Sequence, residues 1–188
     1  MTAQRLPAVE PARRFGQGAL ATPANFVTLA RIAVAVPTLA LIRSRGAGWL
    51  TLALWFLVTS TDSLDGWLAR RDGATRSGAF LDPVADKLIV LGGLAVLADR
   101  GAIPWWPVGL IALRECAISA YRSFASRRGI SLPAQRLGKY KAFTQYCAVG
   151  VVILPWTAND VGLQHTVLAV AVLFTVVSAV DIVRRGYR

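Results

Sequence analysis

Residues 50–98 read LTLALWFLVTS, then TDSLDGWLARRDGATRSGAFLDPVADK, then LIVLGGLAVLA, an ionic stretch at 61–87 held between two apolar runs. The flanking runs are apolar on every side and not in a stripe, and extended into the residues beside them they come near the ~20 residues that a helix needs to cross a bilayer. This pattern predicts two membrane helices joined by a short loop, with Asp62, Asp65, Asp82 and Asp86 gathered at one membrane face.

Composition carries the same message through the whole chain. Its 188 residues are 55% hydrophobic and 16% charged, with a mean hydropathy of +0.50, too few charges for a soluble surface of this size. The net charge of +11 could suggest nucleic acid. The basic residues, however, cluster between apolar runs and form no stripe with interleaved aromatics, so a nucleic-acid partner is not expected. Cys116 and Cys147 lie in apolar segments without metal-ligand spacing and read as small buried residues.

Hydropathy predicts an all-α integral membrane protein with six spans, roughly 26–45, 49–70, 79–98, 104–125, 138–157 and 162–183. The links after the first, third and fifth spans carry few basic residues. On the other side lie Arg13, Arg14, Arg70, Arg71, Arg76, Arg127, Arg128, Arg136, Arg184 and Arg185. The positive-inside rule makes that side cytoplasmic, giving an N-in, C-in topology with the aspartates at the cytoplasmic mouth. Residues 1–22 lack the apolar core of a signal peptide and read as a cytoplasmic tail or interfacial segment before a 23–188 membrane domain. The tryptophans, among them Trp49, Trp105, Trp106 and Trp156, fall near span ends, where aromatic belts form. His165 falls on the far side.

The aspartates repay a closer look because ionisable residues in apolar helices are costly. At ~100° per residue, Asp62, Asp65, Gly66 and Ala69 share about a third of the second helix's circumference, and Gly78, Asp82 and Asp86 form a stripe on the third. Two neighbouring helices can thus point four carboxylates at one another, and a cation must sit between them. Arg or Lys could serve. An all-oxygen set also suits a hard divalent ion, and Mg²⁺ is usually held by a few carboxylates plus substrate phosphates. Gly66, Ala69 and Gly78 on the same faces leave room for a ligand, although any one of them could be an ordinary helix contact.

Asp62, Asp65, Gly66, Ala69, Arg70, Gly78, Asp82 and Asp86 resemble the signature of the CDP-alcohol phosphatidyltransferases, D-x-x-D-G-x-x-A-R followed by G-x-x-x-D-x-x-x-D. Seven residues separate Arg70 from Gly78 where that signature has eight, and the difference falls in RDGATRS (71–77), which predicts a tighter turn. The resemblance implies a six-helix enzyme of the bacterial inner membrane, homodimeric, that moves a phosphatidyl group from CDP-diacylglycerol to an alcohol and releases CMP on the cytoplasmic side. It implies that Asp62, Asp65, Asp82 and Asp86 hold Mg²⁺ or Mn²⁺ and that Asp86 is also the general base. Asp62, Asp65, Gly66, Ala69, Arg70 and Gly78 would form the nucleotide site, with Arg70 paired to its phosphates.

PANFVTLARI, LDPVADK, RECAISAYRSFASRRG and LGKYKAFTQ are similar to the branch of that family whose acceptor is glycerol 3-phosphate. Arg114, Arg122, Lys139 and Lys141 are then candidates for the acceptor phosphate, with Arg31 from the first span as a further one. Topology and headgroup contact explain boundary cations equally well, but Arg114 lies deep in an apolar run, where Glu115 could partner or orient it. Lys87 reads as a snorkelling residue or the partner of a carboxylate. Phosphatidylglycerol and inositol phosphate are the alternative acceptors. A metal-ion transporter is the alternative of a different kind, against which the uncharged run LIVLGGLAVLA after Lys87 argues.

Overall fold

The computed structural model describes residues 23–72, 76–128 and 136–186, with side chains described at 25–61, 84–125, 128 and 137–184. These residues form six α-helices and no strand: α1 (Pro23–Arg45), α2 (Trp49–Asp72), α3 (Arg76–Asp99), α4 (Trp105–Arg127), α5 (Arg136–Ile153) and α6 (Val161–Gly186). At a rise of ~1.5 Å per residue they run from about 27 to 39 Å, close to or beyond a bilayer's hydrocarbon core of ~30 Å. A chain this apolar must satisfy its backbone polar groups internally, which helices do.

By length and apolar composition Asn25–Arg45 and Val161–Arg184 qualify as membrane spans, and Trp49–Thr61 is a shorter apolar helix. The other helices carry the ionisable residues singled out above, such as Asp86, Lys87, Arg114, Glu115 and Lys141. Large apolar side chains point outward all the same: Phe26, Phe56, Leu113, Phe143 and Leu173 are each at least 60% exposed. Water does not tolerate such a surface and lipid does, so the chain is an all-helical membrane protein.

The expected spans agree with the helices except at the end of the fifth. There α5 stops at Ile153, because Pro155 cannot continue it and biases the residue before it away from helix. The Thr157 hydroxyl donates to Val151 O at 2.5 Å and thereby caps the broken end. Pro37, by contrast, lies inside α1 without ending it. The Thr38 hydroxyl donates to Val34 O at 2.7 Å next to the proline's missing N–H.

Helix α1 packs against both α2 and α3, α5 packs against α6, and α3 also meets α4 and α5. Ile89, Val90, Leu94, Leu97 and Ala98 place α3 in the middle of the core. Two adjacent glycines there allow close approach: a Cβ on Gly92 would lie 2.8 Å from Leu39 of α1, and one on Gly93 would lie 2.8 Å from the Trp55 ring of α2. Trp55 completes the contact by donating its indole N–H to Tyr146 O at 3.2 Å. So α2 reaches α3 through this ring, while α1 packs along both.

The α3–α4 link is closed by Gly101 at φ +73°, a value that glycine adopts without strain. Ala102 N–H donates to Leu97 O at 2.9 Å, the long bond of a Schellman cap. Nearby, Arg43 pairs with Asp99 at 3.1 Å and Arg100 donates to Arg43 O, tying the ends of α1 and α3 together. Trp49 and Trp156 meet edge to face at 5.0 Å at the same end, and Trp49, Trp105, Trp106 and Trp156 are exposed at helix ends, while His165 is also exposed.

One expectation is corrected. Cys116 is exposed and Cys147 half-buried. An apolar run in a membrane protein has an outer face as well as an inner one, and Cys116 belongs to the outer face.

Candidate active site

Helix α1 buries a polar stripe at its N-terminal end. Asn25, Thr28 and Arg31 recur every third residue on one face and are almost completely buried, as is Thr38 further along, before the stripe ends in Ile42. Polar groups so placed in a membrane helix mark a polar site, because each must be satisfied inside the protein. Arg31 Nη1 reaches Asp86 Oδ1 of α3 at 3.0 Å, the arginine side chain 1% exposed and the carboxylate 40%. Sequence reading placed Arg31 with the acceptor; the structure puts it against the carboxylate.

Unbroken helices carry the remaining aspartates: α2 continues through Asp62 and Asp65 to Asp72, and α3 through Gly78, Asp82 and Asp86. The side chains of Asp62, Asp65, Gly66, Ala69, Arg70, Gly78 and Asp82 lie outside the described residues. Of the 71–77 segment expected as a tight turn, 71–72 belong to α2 and 76–77 to α3, and 73–75 lie outside the described residues.

A second polar cluster joins four helices. Glu115 Oε1 of α4 accepts Lys141 Nζ of α5 at 2.6 Å and Arg114 Nη1 at 3.0 Å, and all three side chains are about nine-tenths buried. Arg114 Nη2 donates to Ser178 Oγ of α6 at 2.7 Å. From α3, Lys87 donates to Ser119 Oγ, whose own proton goes to Glu115 O at 2.6 Å. Below it, Gln145 donates to Thr175 Oγ1 at 2.8 Å in the α5–α6 interface.

Of the cations expected at the acceptor, Arg114 and Lys141 therefore come together, and the orienting acid between them is Glu115. Arg122 and Lys139 are exposed. Sequence reading missed the cross-helix reach of Lys141 to Glu115 and of Lys87 to Ser119. The spacing of Glu115 and Ser119 at i and i+4 was a legible sign that they share a face. The distances between helices had no signal in the sequence.

Asp82 precedes Asp86 by one helical turn on α3, and the Asp86 carboxylate, an oxygen donor, is partly open while its Oδ1 is fixed by Arg31. That chemistry fits a hard divalent cation such as Mg²⁺. The Arg114–Glu115–Lys141 cluster combines two cations with one acid, a surplus that suits an anion.

Comparison with known proteins points the same way. The profile of the CDP-alcohol phosphatidyltransferase family matches residues 21–177. A protein of Mycobacterium tuberculosis named probable phosphatidylglycerophosphate synthase is 38% identical over 180 residues, covering 92% of this chain and 85% of that protein. The CDP-diacylglycerol–glycerol-3-phosphate 3-phosphatidyltransferase of Bacillus subtilis is 35% identical over 173 residues, covering 82% and 89% respectively. A protein of the same name from Rickettsia bellii is 37% identical over 134 residues, covering 69% and 74%.

Proposed function

Because the chain belongs to the CDP-alcohol phosphatidyltransferase family, we propose that it transfers the phosphatidyl group of CDP-diacylglycerol to glycerol 3-phosphate. The products are phosphatidylglycerophosphate and CMP, and the setting is phospholipid biosynthesis. The relatives' names suggest this acceptor. The observation that carries the choice is the buried Arg114–Glu115–Lys141 cluster, whose surplus of positive charge inside an apolar bundle calls for an anionic substrate.

In this reading Asp62, Asp65, Asp82 and Asp86 hold Mg²⁺ or Mn²⁺, and Gly66, Ala69 and Gly78 leave space for the cytidine nucleotide while Arg70 pairs with its phosphates. The bound metal would neutralise the pyrophosphate. Asp86, oriented by Arg31, accepts the proton of the acceptor hydroxyl as that oxygen bonds to the phosphatidyl phosphorus. The bond from this phosphorus to CMP breaks, and CMP departs with its electron pair. Arg114 and Lys141 hold the acceptor's phosphate, with Arg122 and Lys139 along its approach from the cytoplasm.

The six helices are taken as six spans of a bacterial inner membrane, N-in and C-in, with residues 23–188 as the catalytic domain after a 1–22 tail. The site then opens to the cytoplasm, and the chain acts as a homodimer. The deciding experiment offers the purified protein CDP-diacylglycerol with glycerol 3-phosphate, phosphatidylglycerol or inositol phosphate and follows CMP release. Release with glycerol 3-phosphate is expected, and equal or faster release with either other acceptor overturns the substrate assignment.

A further inference from the structure

Lys87 has no role in the scheme above. It follows Asp86 on α3, but the ~100° step between successive helical residues turns the two apart: Asp86 meets Arg31 of α1, whereas Lys87 meets Ser119 of α4. Among the described residues no carboxylate forms an ion pair with Lys87. A half-buried ammonium whose partner is a neutral hydroxyl is an expensive feature in a membrane helix. Since the single Ser119 proton is already given to Glu115 O, the hydroxyl can only accept from Lys87, and the ammonium keeps two further N–H groups.

This ammonium belongs to the Glu115 cluster. Its acceptor Ser119 bonds the Glu115 backbone, while Arg114 and Lys141 meet the Glu115 carboxylate, so the three cations gather at one residue. Three cations from α3, α4 and α5 thus surround one acid, leaving two positive charges in excess. A phosphate monoester at neutral pH carries close to two negative charges, its second pKa being about 6. Donors for its oxygens are available: the remaining N–H groups of the two ammoniums, and Arg114 Nε, which is buried and has no hydrogen-bond partner among the described residues.

The geometry points to Lys87 as a third cation of the acceptor site, holding the phosphate monoester together with Arg114 and Lys141. This inference rests on the function proposed above and adds a consequence. A phosphate gripped from α3 sits beside the helix that carries Asp86, so the same helix positions both ends of the acceptor.

Steady-state CMP release by the full chain tests it, with glycerol 3-phosphate and CDP-diacylglycerol varied in turn for wild type, Lys87→Met and Lys87→Arg. Loss of one charged hydrogen bond predicts a KM for glycerol 3-phosphate raised about tenfold or more in Lys87→Met. The KM for CDP-diacylglycerol should hold steady, and Lys87→Arg should recover most of the loss. Inorganic phosphate should weaken as a competitor of glycerol 3-phosphate by a similar factor. An unchanged KM for glycerol 3-phosphate overturns the inference, and so does a parallel rise of both KM values with a lowered melting temperature, which would make Lys87 structural. Weakened competition by phosphatidic acid vesicles with an unchanged KM for glycerol 3-phosphate would assign Lys87 to a lipid headgroup instead, again overturning it. Wild type that releases CMP only with another acceptor would defeat the underlying function itself, a result distinct from these.

Discussion

Neutralising Glu115 should destabilise the protein severely, and removing a neighbouring cation at the same time should repair much of the damage. Glu115 Oε1 accepts Lys141 at 2.6 Å and Arg114 at 3.0 Å, with all three side chains withdrawn from solvent. In Glu115→Gln the shape stays and the charge goes. The two cationic nitrogens then face each other at no more than about 5.6 Å, a repulsion of roughly 3 kcal/mol at an effective dielectric near 20. Breaking a buried ion pair by removing one partner typically costs about 3–5 kcal/mol, which agrees with that figure. For a chain of this size the loss corresponds to a fall of roughly 10 °C in melting temperature. In Glu115→Gln with Lys141→Met, the pair is replaced by neutral groups of similar size and the repulsion disappears, so the double variant should melt well above the single one. The assay is thermal unfolding in one detergent for wild type, both single variants and the double. If Glu115→Gln melts with wild type, or if the two losses simply add, the cluster does not carry the charge coupling its geometry implies.

Three further outcomes follow from other contacts. Gly93→Ala places a methyl 2.8 Å from the Trp55 ring and 3.3 Å from Val149, and should cost about 1–3 kcal/mol in thermal unfolding; Gly92→Ala meets a movable Leu39 methyl and should cost less. Arg31→Gln removes the charged partner of Asp86 and should slow CMP release about ten- to a hundredfold, the worth of one charged hydrogen bond; a rate within twofold of wild type would remove Arg31 from the site. Chelation with EDTA should abolish CMP release and added Mg²⁺ restore it, whereas activity persisting in EDTA would refute metal dependence.

The parts legible from the sequence were those with a period or a composition. All-round apolar runs located six helices to within a few residues, and the fifth helix ended early for a reason that was visible, Pro155. Helical spacing put Asp82 and Asp86 on one stripe, and the depth of Arg114 in an apolar run marked it as unusual. Contacts between helices were another matter. Nothing in the order of residues says that Arg31 turns to Asp86, that Glu115 is shared by Arg114 and Lys141, or that Lys87 reaches Ser119. Those depend on which helices pack and at what rotation, set by small contacts such as Gly92 under Leu39 and Gly93 under Trp55. Exposure was hidden for the same reason: Cys116 looked like a core residue because sequence alone does not divide an apolar helix into inner and outer faces.

The rotation of α3 is pinned at four sites, Asp86 on Arg31, Lys87 on Ser119, Gly92 under Leu39 and Gly93 under Trp55, and every one of them lies after the segment that joins it to α2. A residue gained or lost before Arg76 therefore need not turn the helix by ~100°, because the pins and not the connection set its angle. On that reasoning the missing residue between Arg70 and Gly78 should change only the length of the connection. Insertions and deletions should be tolerated there and nowhere further along α3, where a single added residue would send Asp86 and Lys87 to the wrong neighbours.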